Sequence, residues 1–345
     1  MPLVILNECL YLYKKGTVYL HDKNGYSRVA DLWPRTWKDI SRVTVRLFRR
    51  EPKCAAFIDE DRILVAGHRK IFLVNIKSRE VKIIAYSREK FSDPLNICVT
   101  SGKWLALWGD YGPNAGHDEI YVYGLTAKLE VERIYKFEAG SVRHIHNIVA
   151  KQGGDGYYIF TGDREDAAGI YESDNQFHKV IPKRIGEQKY RAVAGFDTKK
   201  GLLYATDAVN HKNYIYILDG GGVEPKSICS LNGSCIYGTS FSKGYLFSTT
   251  VEPDENRRGV LSWFSRRRGA GILTDQAELI YVDYNLKCRV LGRYKKDLWP
   301  MKLMQYGKIM FPYGMKDTVW TYPVGVKKYD GKTVEMDVDG KGLVR

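Results

Sequence analysis

Arg143–Asp163 reads RHIHNIVAKQGGDGYYIFTGD and runs on through GIYESDNQFHKV to Val180. An alternating strand, HIHNIV, is followed by a Gly/Asp turn, then by YYIFTG ending in a polar cluster, then by GIYES and FHKVI. Short alternating runs separated by Gly, Asn and Asp read as strands joined by tight turns, so this is one four-stranded antiparallel unit. Its outline recurs. The polar-ended second strands Arg62–Gly67, Trp104–Asp110, Tyr158–Asp163, Leu202–Asp207, Tyr245–Thr250 and Ile309–Gly314 begin 42, 54, 44, 43 and 64 residues apart. A period of roughly 40–50 residues is that of one propeller blade.

Blade four is the clearest copy. Blade five reads YRAVAGF, LLYATD, NYIYIL and PKSICSL, and blade six IYGTSF and YLFSTT, then ELIYVDY and CRVLGRY after an insertion at about 251–276. LVIL, LYLYKK, TVYLHD and SRVADL make a further set at the N-terminus. The expectation is an all-β chain, a single seven-bladed β-propeller over residues 1–345, with six blades as the alternative if the first and last segments share one. No Pro/Ser-rich linker divides the chain. Only Asp31–Val43 reads as a short helix.

Lys+Arg 54 against Asp+Glu 40 gives a formal charge of +14, a field that attracts polyanions such as acidic polysaccharide, nucleic acid or an anionic membrane surface. No stretch approaches the roughly 18 apolar residues of a membrane span. MPLVILNECLYLYKK has no basic start and no small-residue cleavage site, so cytoplasmic residence is expected, with secretion instead if a leader has been removed. Cys9, Cys54, Cys98, Cys229, Cys235 and Cys288 show no metal spacing and fall mostly in strands, as small core hydrophobes do. There is no P-loop, Rossmann glycine set or nucleophile elbow, so no cofactor is expected.

His144 and His146 lie two apart on an inner strand and face the same side. They are read as a general base or ligand-binding pair near the axis, or as structural imidazoles bonded to neighbouring blades. As a metal pair they lack an obvious third ligand. Asp163 and Arg164 close the second strand of blade four, Asp207 closes that of blade five, and Glu252 follows that of blade six. Equivalent turns of a propeller share one rim, so these carboxylates are expected to converge; each Asp alone also suits an Asx turn. Tyr190, Arg191 and Tyr237 start blades five and six. Arg143, Arg164 and Arg191 are together candidates for a substrate carboxylate, because guanidinium offers a bidentate fork. Arg257, Arg258 and Arg266 to Arg268, interleaved with Trp263 and Phe264, suit sugar or base stacking, a membrane surface, or plain solvation.

GIYESDNQF, Gly169 to Phe177, resembles a degenerate Asp-box, the SxDxGxxW-like hairpin of sialidase-type propellers: Ser173 and Asp174 match, the glycine and tryptophan do not. The order RHIH, TGD, YRA, TD, YG and TVEP is similar to that of bacterial propellers that handle surface polysaccharides. Sialidases imply an arginine triad, a Tyr–Glu nucleophile pair and an Asp acid. Propeller lyases of the ulvan-degrading type imply His and Tyr as base and acid with Arg neutralising a uronate, roles matched in kind by His144, Tyr190 or Tyr237, and Arg191. Where such a lyase carries a further His one strand on, this chain has Asp163.

The expected function is therefore binding and cleavage of an acidic polysaccharide, by β-elimination ahead of hydrolysis. Elimination uses His144 or His146 as base; hydrolysis would draw on Asp163, Asp207 and Glu252. A noncatalytic propeller for glycan or protein partners is the alternative. Nucleic acid is disfavoured because no recognised motif is present.

Overall fold

Seven antiparallel sheets follow one another along the chain in a computed structural model that describes residues 1–164, 166–221, 224–257 and 259–338. Six have four strands in simple up-and-down order and the last has three. The blades cover residues 2–31, 54–86, 98–137, 144–185, 192–231, 235–295 and 308–336. The chain is thus the expected seven-bladed propeller. The six-bladed alternative fails because the first and last sheets share no strand. They meet instead through their inner strands: the Ile5 N–H donates to the Tyr313 carbonyl at 2.8 Å, and the Tyr313 N–H to the Leu3 carbonyl at 2.9 Å. The ring is closed by main-chain bonds between its two ends.

Hydrophobicity decides which strand lies where. In blade four, every residue of the second strand, Gly156–Gly162, is buried, whereas the outermost, Val180–Ile185, is half-exposed. Each fully buried Leu, Ile or Phe contributes about 1.5–3 kcal/mol, so the aromatic-rich second and third strands hold the blades together. Pro182 is tolerated because the outer strand needs only one bonded edge. A register shift recurs between the third and fourth strands of all six four-stranded blades, for example at Val122/Tyr123, Ile170/Tyr171 and Ile215/Tyr216. Such bulges increase strand twist, which lets each blade fan outward from the axis. Adjacent blades mesh closely: a Cβ on Gly195 in blade five would lie 2.6 Å from the Phe160 ring of blade four.

Two sequence expectations are corrected. Ile309–Gly314 was placed as a second strand, but Lys308–Met310 pairs only with Val319–Val324 and is the inner strand of blade seven. It is short because Tyr313 turns to the first blade. The helix expected at Asp31–Val43 is a 3-10 turn, Trp37–Asp39, followed by a helix at Arg42–Leu47 that Ser41 caps; Pro34 and the cap residues displace it toward the C-terminus. All six cysteines lie in strands and are free.

Up-and-down order places the start of every inner strand, the end of every second strand and the connections between blades at the same face. The candidate residues gather there.

Candidate axial site

His144 and His146 leave the start of the inner strand of blade four on one side of the sheet, both buried. His144 Nδ1 lies 2.8 Å from the Gly112 carbonyl of blade three, and His146 Nδ1 lies 2.9 Å from the Ala192 carbonyl of blade five. A carbonyl oxygen only accepts, so each Nδ1 carries the hydrogen. Each neutral ring then presents an Nε2 lone pair. Those two atoms face each other at 2.9 Å, and both face Asp163 Oδ1, at 3.3 Å and 3.1 Å. Three acceptors with no hydrogen among them repel unless a cation sits between them, either a proton or a metal ion. Two imidazole nitrogens and a carboxylate oxygen form a common divalent-metal set, and a backbone-anchored Nδ1–H is how metal-binding histidines are oriented. Their ligating atoms all lie within 4.8 Å of one another. The third donor missing from the HxH pair is Asp163, brought in by the end of the neighbouring strand.

Arg191 connects this group to the next blade. Its guanidinium lies 3.3 Å from Asp163, 3.5 Å from Asp207 and 3.7 Å from Glu255, and it also donates to the Asp163 carbonyl at 3.0 Å. Burial works to raise the Asp163 carboxyl, but the His144 and His146 rings beside it and the Arg191 guanidinium outweigh it and hold the group well below the usual range. Asp207 goes the other way. Burial, then the negative charges of Glu252, Asp163 and Glu255, hold its carboxyl well above the usual range despite Arg191. Two carboxyls on one arginine are thus driven apart, which is how a site separates an ionised group from a proton donor. Glu252 accepts from Ser234 and, at 2.5 Å, from Thr250. The Nε atoms of Arg143 and Arg191 and Oδ1 of Asp207 are buried without hydrogen-bond partners among the described residues.

The other half of the axis is basic and phenolic. Lys308, 8% exposed, donates to the Tyr237 hydroxyl at 3.0 Å and lies over the rings of Tyr237 and Tyr306. Burial, reinforced by the charge of Lys53, pushes its amine down to about 7. Lys53 lies over the Tyr111 ring at 5.4 Å, and that ring is 4.8 Å from His144. Neither ammonium makes an ion pair among the described residues.

The structure therefore brings together His144, His146, Asp163, Arg191, Asp207, Glu252 and Tyr237. Three sequence candidates stand apart. Tyr190 is buried between blades four and five among Phe160, Tyr204 and Leu218, its hydroxyl turned toward Glu224, because the 3-10 turn Gln188–Tyr190 precedes the inner strand. Arg164 is exposed and makes no ion pair among the described residues. Arg143 is partly buried and makes no ion pair among the described residues; its charge reaches Glu255, so it borders the Arg191 cluster without pairing in it. The supposed Asp-box is an Asx turn: the Asp174 carboxylate accepts from the N–H groups of Gln176, His178 and Lys179 at 2.8, 3.1 and 2.8 Å, which is a structural role. The sialidase likeness has no support beyond it. Arg258 of the insertion cluster lies outside the described residues.

Lys53, Lys308, Tyr111, Tyr306 and Glu255 were not anticipated. A signal existed for two of them. Lys53 holds the position just before an inner strand that Arg143 and Arg191 hold in blades four and five, and Tyr111 follows the Asp that ends a second strand.

No protein-family model matches the chain, and no curated protein does. Solved structures do. An oligogalacturonate lyase from Vibrio parahaemolyticus superposes with a TM-score of 0.61 at 9% identity, over 98% of this chain and 90% of that one. An oligogalacturonate lyase in complex with manganese gives 0.53 at 10% identity, over 86% and 79%. A puromycin-hydrolyzing peptidase of Mycobacterium tuberculosis gives 0.58 at 10% identity, over all of this chain and 53% of that one. At such identities the likeness establishes the propeller fold.

Proposed function

We propose that the protein cleaves acidic oligosaccharides at this axial site by β-elimination, with a divalent cation held by His144, His146 and Asp163. The observation that carries the reading is the convergence of two imidazole Nε2 atoms, each ring anchored at Nδ1 by a main-chain carbonyl, on one carboxylate oxygen. The lyase neighbours, one complexed with manganese, agree with it in kind. A bound cation would neutralise a uronate carboxylate and so acidify the adjacent C5–H.

The chain's own groups take revised roles. Both histidines are committed through both ring nitrogens, so neither is the free base expected from sequence. Arg191 is already surrounded by carboxylates, so it orders Asp163 and Asp207 rather than receiving a substrate anion. Lys53, which makes no ion pair among the described residues, is the group left to face the sugar's negative charge. The Lys308–Tyr237 pair takes the C5 proton, the released electron pair forms the C4–C5 double bond, and the C4–O bond breaks. The departing oxygen takes its proton from Asp207, whose carboxyl holds one unusually tightly.

The test is incubation with a panel of uronate oligosaccharides, with manganese or after chelation, following the ultraviolet absorbance of the unsaturated product and new reducing ends. Absorbance that needs the metal supports the reading. Reducing ends without absorbance would mean hydrolysis by the Asp163–Asp207 pair, and silence across the panel would leave a binding propeller.

A further inference from the structure

The connection between the second and third strands of blade six carries a segment unlike the rest of the surface. From Asn256 to Arg268 the sequence is NRRGVLSWFSRRR, five arginines and no acidic residue. Its centre is a 3-10 turn, Val260–Phe264, which is inverted relative to ordinary burial. Val260, Leu261, Trp263 and Phe264 are 76%, 85%, 52% and 62% exposed, while Ser262 is buried. The turn is tied down by its polar side: Lys302 Nζ donates to Ser262 Oγ at 3.2 Å and to the Arg257 carbonyl at 2.8 Å, and Arg257 reaches Ser265 Oγ at 3.1 Å. The apolar side chains are thereby held outward.

The patch extends beyond the turn. The link from blade six to blade seven exposes Leu298 and Trp299, at 68% and 50%. Arg49 Nη2 donates to the Lys302 carbonyl at 3.0 Å, which joins the segment around the Arg42–Leu47 helix to the same face. There Trp37, Ile40, Val43 and Phe48 are exposed, with Lys38 Nζ lying 4.9 Å from the Phe48 ring centre. Large apolar groups exposed together mark an interaction surface.

We propose that this face docks on an anionic lipid bilayer, with Val260, Leu261, Trp263 and Phe264 entering the headgroup–acyl boundary and the arginines lying among the phosphates. Chemistry selects that partner. An apolar tip with aromatic side chains, ringed by cations of which Arg267 alone is paired with an acid among the described residues, Asp254 at 3.5 Å, matches the layered polarity of a bilayer surface. A nucleic acid would satisfy the arginines and leave Leu261 in water. A second copy of the chain would set two arginine clusters, and two net charges of +14, against each other. Because this is also the face on which the axial residues open, docking would turn the site toward the membrane. The proposal stands apart from the elimination reading and needs no activity.

The experiment is flotation of the full chain with vesicles of phosphatidylcholine alone or mixed with phosphatidylglycerol, over a salt series, beside tryptophan fluorescence. The expected result is binding to the anionic vesicles only, weakened at least about tenfold between low and high salt, with a blue-shifted emission. Leu261→Asp with Trp263→Asp should abolish it, and Arg266→Glu with Arg267→Glu should weaken it, each at unchanged melting temperature because these side chains are exposed. Failure to float, or equal flotation of the variants, overturns the proposal. So would concentration-dependent dimerisation that Leu261→Asp removes, which would make the tip a contact between copies.

Discussion

His144 and His146 present their Nε2 atoms to each other at 2.9 Å while their Nδ1 atoms bond to main-chain carbonyls in two different blades. The two rings therefore knit three blades together and also leave one lone pair each pointing at Asp163. The expected outcome is a single divalent-ion site in the purified protein. Calorimetric titration with manganese or zinc should give one ion per chain, and Asp163→Asn or His146→Ala should weaken it by about 100-fold or more. Unchanged titration in both variants would sink the assignment.

Gly162 offers a test that leaves every ligand in place. A Cβ there would lie 2.2 Å from His146 Cε1 and 2.7 Å from its Nε2. Gly162→Ala should displace the imidazole and abolish ion binding, while the circular dichroism of the β-rich fold is retained.

Arg191 is buried against Asp163, Asp207 and Glu255. Removing one member of such a cluster strands the others, so Arg191→Met should destabilise the chain by about 3–5 kcal/mol in urea denaturation. Adding Asp163→Asn should restore part of that loss, because Asp163 is the carboxyl held ionised beside Arg191 and one stranded charge is then gone. A double variant no more stable than the single would show that the two side chains are not coupled.

Lys308 yields a pH dependence. Its folded amine is pushed down to about 7 from an ordinary value of 10.5. Between those values the unfolded chain holds a proton that the folded chain has released, so stability rises with pH through that window. The burial penalty is fully present below pH 7 and is relieved by about pH 10.5. Lys308→Met should therefore be more stable than the parent at neutral pH, on the order of a few kcal/mol, and the difference should vanish at alkaline pH. A pH-independent difference between the two melting curves would contradict it.

Much of this was legible because it is local. Alternation at period two and a recurring turn every forty-odd residues suffice for strands and blades, and an HxH pair on a strand must share a face. Asp163 and Asp207 were found because they hold equivalent positions in successive repeats, and Glu252 because it lies two residues beyond the matching position in the next. Tyr190 was misassigned for a complementary reason: the sequence places it at the start of an inner strand like the histidines, but it precedes that strand in a short 3-10 turn that sets its ring between the blades. The last blade was misread by one strand because Lys308–Met310 is only three residues long and its spacing to blade six is stretched.

The sequence by itself determined the blade, its repetition and the pairing of His144 with His146, since these depend on contacts between near neighbours in the chain. Only the tertiary structure decided what meets across the axis. Ring closure through Ile5 and Tyr313 places blade seven beside blade one. It thereby gathers Lys308, Lys53, Tyr111 and Tyr237, from four blades, around the same centre as Asp163 and Arg191. Radial convergence depends on blade number and on the rotation of each side chain at the start of its strand, and neither is encoded in the spacing of any local motif. The same closure leaves Lys53 and Lys308 without carboxylate partners among the described residues while Arg191 is surrounded by them, so the distribution of charge at the site is a property of the closed ring.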